Sequence, residues 1–582
     1  MNNVRGSSIP RPKEREMGLD RKTAARKLRE ISQLLELHGG NPHRIRAFAN
    51  ASRSVERVEG DLEALVASGE ILGVRGIGKG TAAALVEMAE GIEPSALTDL
   101  EEKTPATVKE LLHVSGLGPK KVRALWRELG ITSPGELEYA CGENRLVELP
   151  GFGPASQKKV LEAVRFYLAN RESHLVHRAW DVATDLLGRL STFGELEGVT
   201  PTGELRRGEE TVSVIEIVAV GRDEVIGEAV TSILEATQRT SADVWSGTFR
   251  DTYLTRIIAA KPENLGCVLL RTTGNEAHVH AIGQRAAQVG VDFDGEGLRS
   301  GRRHIPCPDE ETLYDALGCQ WVPPELRNGG REVELAARGE LPDLVVLNDL
   351  RGALHNHTDD SDGSASVDDM ARAAAALGWE FLGIGDHSPA AHYANGLSAE
   401  RLRRQGDLID TLNQRGDLPR VFKGLEADIL PDGTLDVPDD CRADLDYVVA
   451  SVHSTFRLSK HAQTERVISA VRDPSCRVLG HPTGRLLLAR PGYEIDLDRV
   501  LEACADNGVA AEINASPYRL DLDHVWARKA IALGVDLIVN PDAHSTVGLE
   551  DVRWGIMVAR RAGASASEIL NCGDMQAWIR DR

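Results

Sequence analysis

The chain has 582 residues, 42% of them hydrophobic, with 68 Lys+Arg against 89 Asp+Glu and a formal net charge of −21. That length accommodates two to four domains with several cores, and the composition is that of an ordinary soluble globular protein. No run approaches the roughly 18 consecutive apolar residues of a membrane helix, the opening MNNVRGSSIPRPKEREMG lacks the apolar core of a secretory signal, and eight scattered cysteines without a CxxC pair exclude a disulfide framework or a Cys-zinc site and point to a reducing cytoplasm.

Read as a total, the acidic charge argues against nucleic acid as a partner. Its distribution changes that reading. Residues 1–170 hold 25 basic and 23 acidic side chains, so the whole acidic excess lies in the remainder, whose net charge is −23. A solvated acidic surface accounts for most of it, and carboxylates that bind cations account for part.

In the N-terminal third, three segments repeat one pattern: GVRGIGKGTAAALVEM (73–88), HVSGLGPKKVRALWREL (113–129) and ELPGFGPASQKKVLEAV (148–164). Each has an apolar residue, then Gly-apolar-Gly, then an amphipathic helix. The pairs are Gly76/Gly78, Gly116/Gly118 and Gly151/Gly153. Such glycines let a tight turn point backbone N–H groups and a helix N-terminus at one anion. This is the helix-hairpin-helix arrangement, which holds a DNA phosphate without reading bases. Two copies carry lysines in the following helix, Lys120 and Lys121, and Lys158 and Lys159. Upstream, NPHRIRAFANAS (41–52) reads as a basic-apolar helix whose Arg44 could take a terminal phosphate or lie on a solvated face.

From about residue 171 the pattern becomes mixed strands and helices, and GELRRGEETVSVIEIVAVG (203–221) combines a Gly turn, an Arg pair and an alternating strand. The last 240 or so residues are more specific. Six short hydrophobic runs end in candidate metal ligands: His355 and His357 with Asp362 just after, His387, Glu426, His453, His481, and Asp542 with His544. A seventh run, GVAAEINASP, ends in Glu512 and Asn514. Imidazoles and carboxylates together suit Zn, Mn or Fe. Ligands at the ends of successive strands, with helix-like stretches between, place metals at one mouth of an α/β barrel. Divalent ions held there activate water and offset charge on a phosphoryl group, so in-line hydrolysis of a phosphoester is expected, with Glu426, Asp542 and His453 as the catalytic residues. Asp386 is expected to support or cap, His392, His461 and His524 to lie on the surface, and Arg485 and Arg519 to meet substrate phosphate or form ion pairs.

The three hairpins, the Gly-Glu-Leu-Arg-Arg-Gly-Glu-Glu run, RTTGNEAH (271–278), TLYDALG and WVPPELR (312–327) and the metal-ligand runs together resemble a bacterial family X DNA polymerase with a C-terminal PHP (polymerase and histidinol phosphatase) domain. The resemblance covers essentially the whole chain. It implies a multidomain α+β and α/β fold: a helical DNA-binding domain with the first hairpin (1–92), a fingers-like domain with the second and third (93–170), a nucleotidyltransferase-like palm (171–265), a thumb (266–335) and a distorted (β/α)7 PHP barrel (336–582). It also implies up to three divalent metals, Mn2+ or Zn2+, in three positions. His355, His357, Glu426 and Asp542 would hold one, Glu426, His453 and His481 the second, and Asp362, His387 and His544 the third.

The palm departs from that family. Glu204 stands where a serine would contact the nucleoside triphosphate, Val214 and Glu216 where two metal-binding aspartates are expected, and Leu254 at the third, with Asp251 nearby. Nucleotidyl transfer needs carboxylates that hold two metal ions; valine cannot ligate, and Glu204 would repel a triphosphate. In the first hairpin, Ala84 replaces the Schiff-base lysine of the family's eukaryotic repair members. The expected function is therefore DNA repair of the base-excision kind. A monomeric phosphoesterase, chiefly a 3′→5′ exonuclease with 3′-phosphatase or abasic-site cleavage as variants, would act on gapped, nicked or 3′-ended duplex without sequence preference, in the nucleoid-containing cytoplasm. Three rivals stand beside it. Val214 opposes an active gap-filling polymerase with exonuclease, the complete ligand set opposes an idle DNA-binding scaffold, and a small-molecule phosphatase leaves the hairpins unexplained.

Overall fold

The computed structural model describes residues 19–58, 60–142, 145–147, 149–170, 172–250 and 252–580; Asp251 and the N-terminal segment read for a secretion signal lie outside them. The chain forms two compact units, residues 1–171 and 172–582.

The described residues of the first unit are helical. Apolar residues recur at three and four positions along Arg21–Leu37, and Ala24, Leu28, Ile31 and Leu35 are buried. The Asp20 carboxylate caps that helix by accepting from Thr23 N at 2.9 Å. The three Gly-x-Gly turns repeat one geometry. Gly76, Gly116 and Gly151 have φ of +97°, +81° and +88°, a region that disfavours any side chain. The residue between the glycines is buried in each case: Ile77, Leu117 and Phe152. Gly78 and Gly118 then cap the helices Lys79–Ala89 and Pro119–Leu129, and Gly153 precedes Pro154–Asn170. Among the described residues one continuous apolar core runs from Ala24 to Val164.

In the second unit, a five-stranded sheet has the spatial order Gly198–Thr202, Ile215–Val220, Tyr253–Ala260, Val244–Phe249, Glu235–Arg239. Ile215–Val220 and Tyr253–Ala260 pair in parallel, with Glu216 directly opposite Arg256, and the other pairs are antiparallel. The helices Leu265–Thr273 and Glu276–Gln288 and a three-stranded antiparallel sheet follow, around an apolar core of their own. Glu310 ties this part to the palm. Its carboxylate accepts from Arg206 Nη2 at 2.7 Å and from the fully buried Arg327 at 2.5 and 3.0 Å.

The remainder is a seven-stranded parallel sheet in sequential order: β1 (Gly352–Ala353), β2 (Phe381–Ile384), β3 (Arg420–Asp428), β4 (Tyr447–Ser451), β5 (Cys476–Leu479), β6 (Ala510–Asn514) and β7 (Leu537–Asn540). Six of the seven strands are buried along their whole length, as expected for strands covered on both faces. Beyond the strand ends a bridge pairs Asn356 with Ala543, and His357 N donates to Ala543 O at 2.8 Å, so the sheet nearly closes into a barrel. No helix among the described residues is long and apolar enough to cross a membrane.

Candidate metal centre

Every barrel strand delivers polar groups to the same mouth. His355 and His357 follow β1, His387 follows β2, Glu426 lies within β3, His453 follows β4, His481 follows β5, Glu512 and Asn514 end β6, and Asp542 and His544 follow β7. Carboxyl-terminal strand ends are where this architecture gathers a site. Two of these residues sit in the left-handed backbone region, His481 at φ 25° and Asp542 at φ 53°, strain that persists only where the surroundings over-determine it.

The nine side chains form four overlapping groups whose ligand atoms lie within 4.8 Å of one another: His357, Asp362, His387 and His544; His355, His357 and Asp542; His355, Glu426 and His481; His387, Glu426 and His453. The grouping differs from the family's implied sets. His453 and His481 fall in different groups, both through Glu426, and His357 joins the Asp362 group as well as that of His355. The His357 ring stacks against those of His387 and His544, with centroids 4.5 and 4.3 Å away. Depth also differs. His355, His481 and Glu426 are essentially buried, whereas the His544 side chain is 42% exposed and that of Asp362 32%.

Two carboxylates that the motif spacing did not assign fix the imidazoles. Glu512 Oε1 accepts from His355 Nδ1 at 2.7 Å, and Glu512 Oε2 accepts from His481 N at 2.7 Å. Asp428 Oδ1 accepts from His453 Nδ1 at 2.7 Å. Nε2 of His355 and of His453 is thereby left facing Glu426, 3.2 Å from its Oε1 in each case. Asp386 supports rather than ligates: it is fully buried and accepts from Thr358 N at 2.8 Å and Gln405 Nε2 at 2.6 Å.

The donor set fits divalent metal. His355 Nε2, His387 Nδ1 and Glu426 Oε2 are buried without a hydrogen-bond partner, although His387 Nδ1 and Glu426 Oε2 lie only 2.9 Å apart. Close approach without hydrogen-bond geometry suits a shared cation better than a shared proton. The electrostatics mark the cluster as one that attracts positive charge. Burial favours the neutral carboxyl, yet His453, His355 and His387 hold Glu426 well below the usual carboxylate range. Burial likewise opposes charge on His387 and His453, but Glu426, reinforced by Asp362 and Asp428 respectively, carries them up to about 10 and about 9. For His357 and His481 burial prevails and lowers the pKa.

Arg519 and Arg485 separate in role. Arg519 Nε lies 3.6 Å from Asp542 Oδ2, at the mouth. Arg485 is committed elsewhere: it pairs with Glu210 at 2.7 Å and donates through Nε to Arg519 O at 2.9 Å. His392 and His461 are exposed. His524 departs from the surface position expected of it. Its ring is half-buried, with Nδ1 enclosed, and burial, with Arg561 adding to it, lowers its pKa to about 4. Tyr393, which no motif flagged, is 69% exposed beside the mouth, its ring 5.9 Å from that of His387.

In the palm, Glu204 Oε2 accepts from Ser213 N at 2.6 Å. Val214 and Leu254 precede the first pair of the central ladder, Ile215 opposite Thr255, and Leu254 is 41% exposed. Glu216 Oε1 is 3.2 Å from Arg256 Nη1. Burial raises the Glu216 pKa despite that partner. In the helical unit, Gly76, Gly78, Gly116, Gly118, Gly151 and Gly153 are exposed, as is Arg44. Lys120 and Lys158 project into solvent, 87% and 79% exposed, whereas Lys121 donates to Gly116 O at 3.0 Å within its own hairpin. Ala84 is buried.

Known proteins resemble the chain along these same divisions. The helix-hairpin-helix domain family matches residues 20–92, a SAM-like helix-hairpin-helix tandem residues 108–165, the DNA polymerase beta thumb residues 268–328 and the PHP domain residues 353–516. The DNA polymerase/3′-5′ exonuclease PolX of Bacillus subtilis (strain 168) is 32% identical over 575 residues, covering 97% of this chain and all of that protein. A probable phosphatase of Thermoanaerobacter sp. (strain X514) is 28% identical over 241 residues, 39% of this chain and 94% of that protein. Among solved structures, a ternary complex of Leishmania infantum polymerase beta matches at 16% identity over 38% of this chain and 97% of that one, with a TM-score of 0.25.

Proposed function

The chain belongs to the family X DNA polymerases with a C-terminal PHP domain, and from that premise we propose that its barrel hydrolyses DNA from 3′ ends while its palm no longer transfers nucleotides. The observation that carries this reading is the contrast between two sites in one chain. Nine imidazole and carboxylate groups converge at the barrel mouth, whereas the palm offers Val214 and a Glu216 paired with Arg256. The Bacillus relative is named for both polymerase and exonuclease activity, and the probable phosphatase matches 39% of the chain. The hydrolytic half is the one whose residues are complete here.

Glu426, shared between groups, would set the spacing of the metals, with His355, His357 and Asp542, His453 and His481, and Asp362, His387 and His544 around them. Mn2+ or Zn2+ suits this histidine-rich set better than Mg2+, which favours oxygen shells. When bound, such ions supply activation of water and stabilisation of phosphoryl charge. The protein's own groups do the rest. Glu512 and Asp428 fix the imidazole orientations, and Arg519 receives a phosphate oxygen at the mouth. The exposed hairpin turns and Lys120, Lys158 and Arg44 hold duplex phosphates without sequence preference, which suits a monomeric repair nuclease on gapped, nicked or recessed DNA in the nucleoid. The test is purified protein with Mn2+ on a labelled recessed 3′ end, with and without dNTPs. Shortening without extension is expected; extension without shortening would overturn the reading.

A further inference from the structure

The palm carries Val214 and Glu216 where two aspartates are expected but keeps the Arg-Arg-Gly-Glu-Glu run (206–210), and that run is seated on the barrel. Gly208 has φ +68°, and a Cβ there would lie 2.5 Å from Met557 Cγ on the barrel helix Val552–Ala562. Glu209 pairs with Arg561 on the same helix. Glu210 Oε1 accepts from Arg485 Nη2 at 2.7 Å across 275 residues of sequence, with both side chains 16% exposed.

Arg485 stands four residues after His481, and its guanidinium holds the loop after β6. Nε donates to Arg519 O at 2.9 Å, and Nη2 donates to Leu520 O. The buried Asp521 of that loop accepts in return from Thr483 N and Gly484 N at 3.0 and 2.9 Å. The palm touches the loop a second time, where the His177 ring packs 5.3 Å from that of Tyr518. At the cluster, the loop places Arg519 Nε 3.6 Å from Asp542 Oδ2.

We infer that Glu210 and Arg485 are positioning residues, through which the former polymerase palm braces loop 516–522 and fixes the Arg519 guanidinium beside the metal ligands. The inference rests on the phosphoesterase reading of the barrel, with Arg519 as the phosphate contact. Arg485 itself then meets no substrate. Its charge is spent on Glu210, on Asp523 at 3.7 Å and on two carbonyls, and the palm's surviving motif serves the hydrolytic site.

The test uses the full chain carrying Glu210→Gln, Glu210→Asp, Arg519→Ala and the Glu210→Gln/Arg519→Ala pair. Hydrogen exchange over residues 516–522 is measured alongside kcat and KM on a recessed 3′ end with Mn2+. Glu210→Gln should speed exchange in that loop but not in β1–β7, and lower kcat/KM roughly tenfold. Glu210→Asp should restore most of the loss, and Glu210→Gln should add little in the Arg519→Ala background, because both act through one group. Unchanged exchange, or losses that multiply in the pair, would overturn the brace. If wild-type protein hydrolyses nothing, the functional reading fails, and the exchange result alone still decides whether Glu210 holds the loop.

Discussion

Arg256 Nη1 lies 3.2 Å from Glu216 Oε1, the two residues facing each other across adjacent parallel strands. A guanidinium therefore neutralises the one carboxylate left at the expected pair of metal aspartates, and Val214 supplies nothing to replace its partner. Primer extension across a one-nucleotide gap should show no template-directed addition with either Mg2+ or Mn2+. Addition that survived Glu216→Ala would show that nucleotidyl transfer runs through other residues.

DNA affinity should fall steeply with salt and ignore sequence, since the hairpins offer backbone amides and lysines to phosphate. Deleting residues 1–170 should weaken duplex binding far more than it slows cleavage of a small aryl phosphoester. Equal duplex binding by the truncated protein would contradict this division of labour.

Metal uptake should release protons. In the metal-free protein Glu426 and its neighbouring carboxylates raise His387 to about 10 and His453 to about 9, so both are protonated at neutral pH, whereas metal needs the neutral rings. The raised values stabilise the metal-free fold fully below the unfolded pKa of about 6.5, and that stabilisation is lost as pH rises through 9 to 10. Metal affinity should accordingly climb between pH 7 and 10 while the metal-free Tm falls. Calorimetry in buffers of differing ionisation enthalpy measures the protons directly; none released would contradict the protonated cluster.

The Glu310 carboxylate should be a stability determinant. Burial opposes its charge, but Arg327 and then Arg206 hold its pKa at about 2. The resulting stabilisation is present above about pH 4.5 and lost as pH falls toward 2. Glu310→Ala leaves the buried Arg327 charge without its carboxylate and should cost about 3–5 kcal/mol. Denaturant unfolding showing less than about 1 kcal/mol would mean that Arg327 finds another partner.

The nine clustered side chains were legible because each lies at or just beyond the end of an apolar run, which fixes both the strand and the end of it that meets solvent. The hairpins were legible because a Gly-x-Gly turn with a buried middle residue leaves a repeated local signature. What escaped depended on register or on distant pairing. Asp428 is on the same strand face as Glu426, but only the fold places His453 Nδ1 against it. Glu512 was visible as a strand-end carboxylate, yet its bonds to His355 and to the His481 backbone come from other strands. Arg256 became relevant only once the ladder set it opposite Glu216. Arg485 reads from the sequence as either a phosphate contact or an ion pair, because nothing local announces Glu210 as its partner.

The most direct test is Glu426→Ala in the full chain, assayed for digestion of a recessed 3′ end with Mn2+ alongside duplex binding. Glu426 belongs to two of the four ligand groups and is essentially buried at their junction. The expected result is a loss of digestion of more than about a hundredfold, beyond what removing an outer partner costs, with duplex binding nearly unchanged. Near-normal digestion by Glu426→Ala would show that the barrel cluster is not the catalyst.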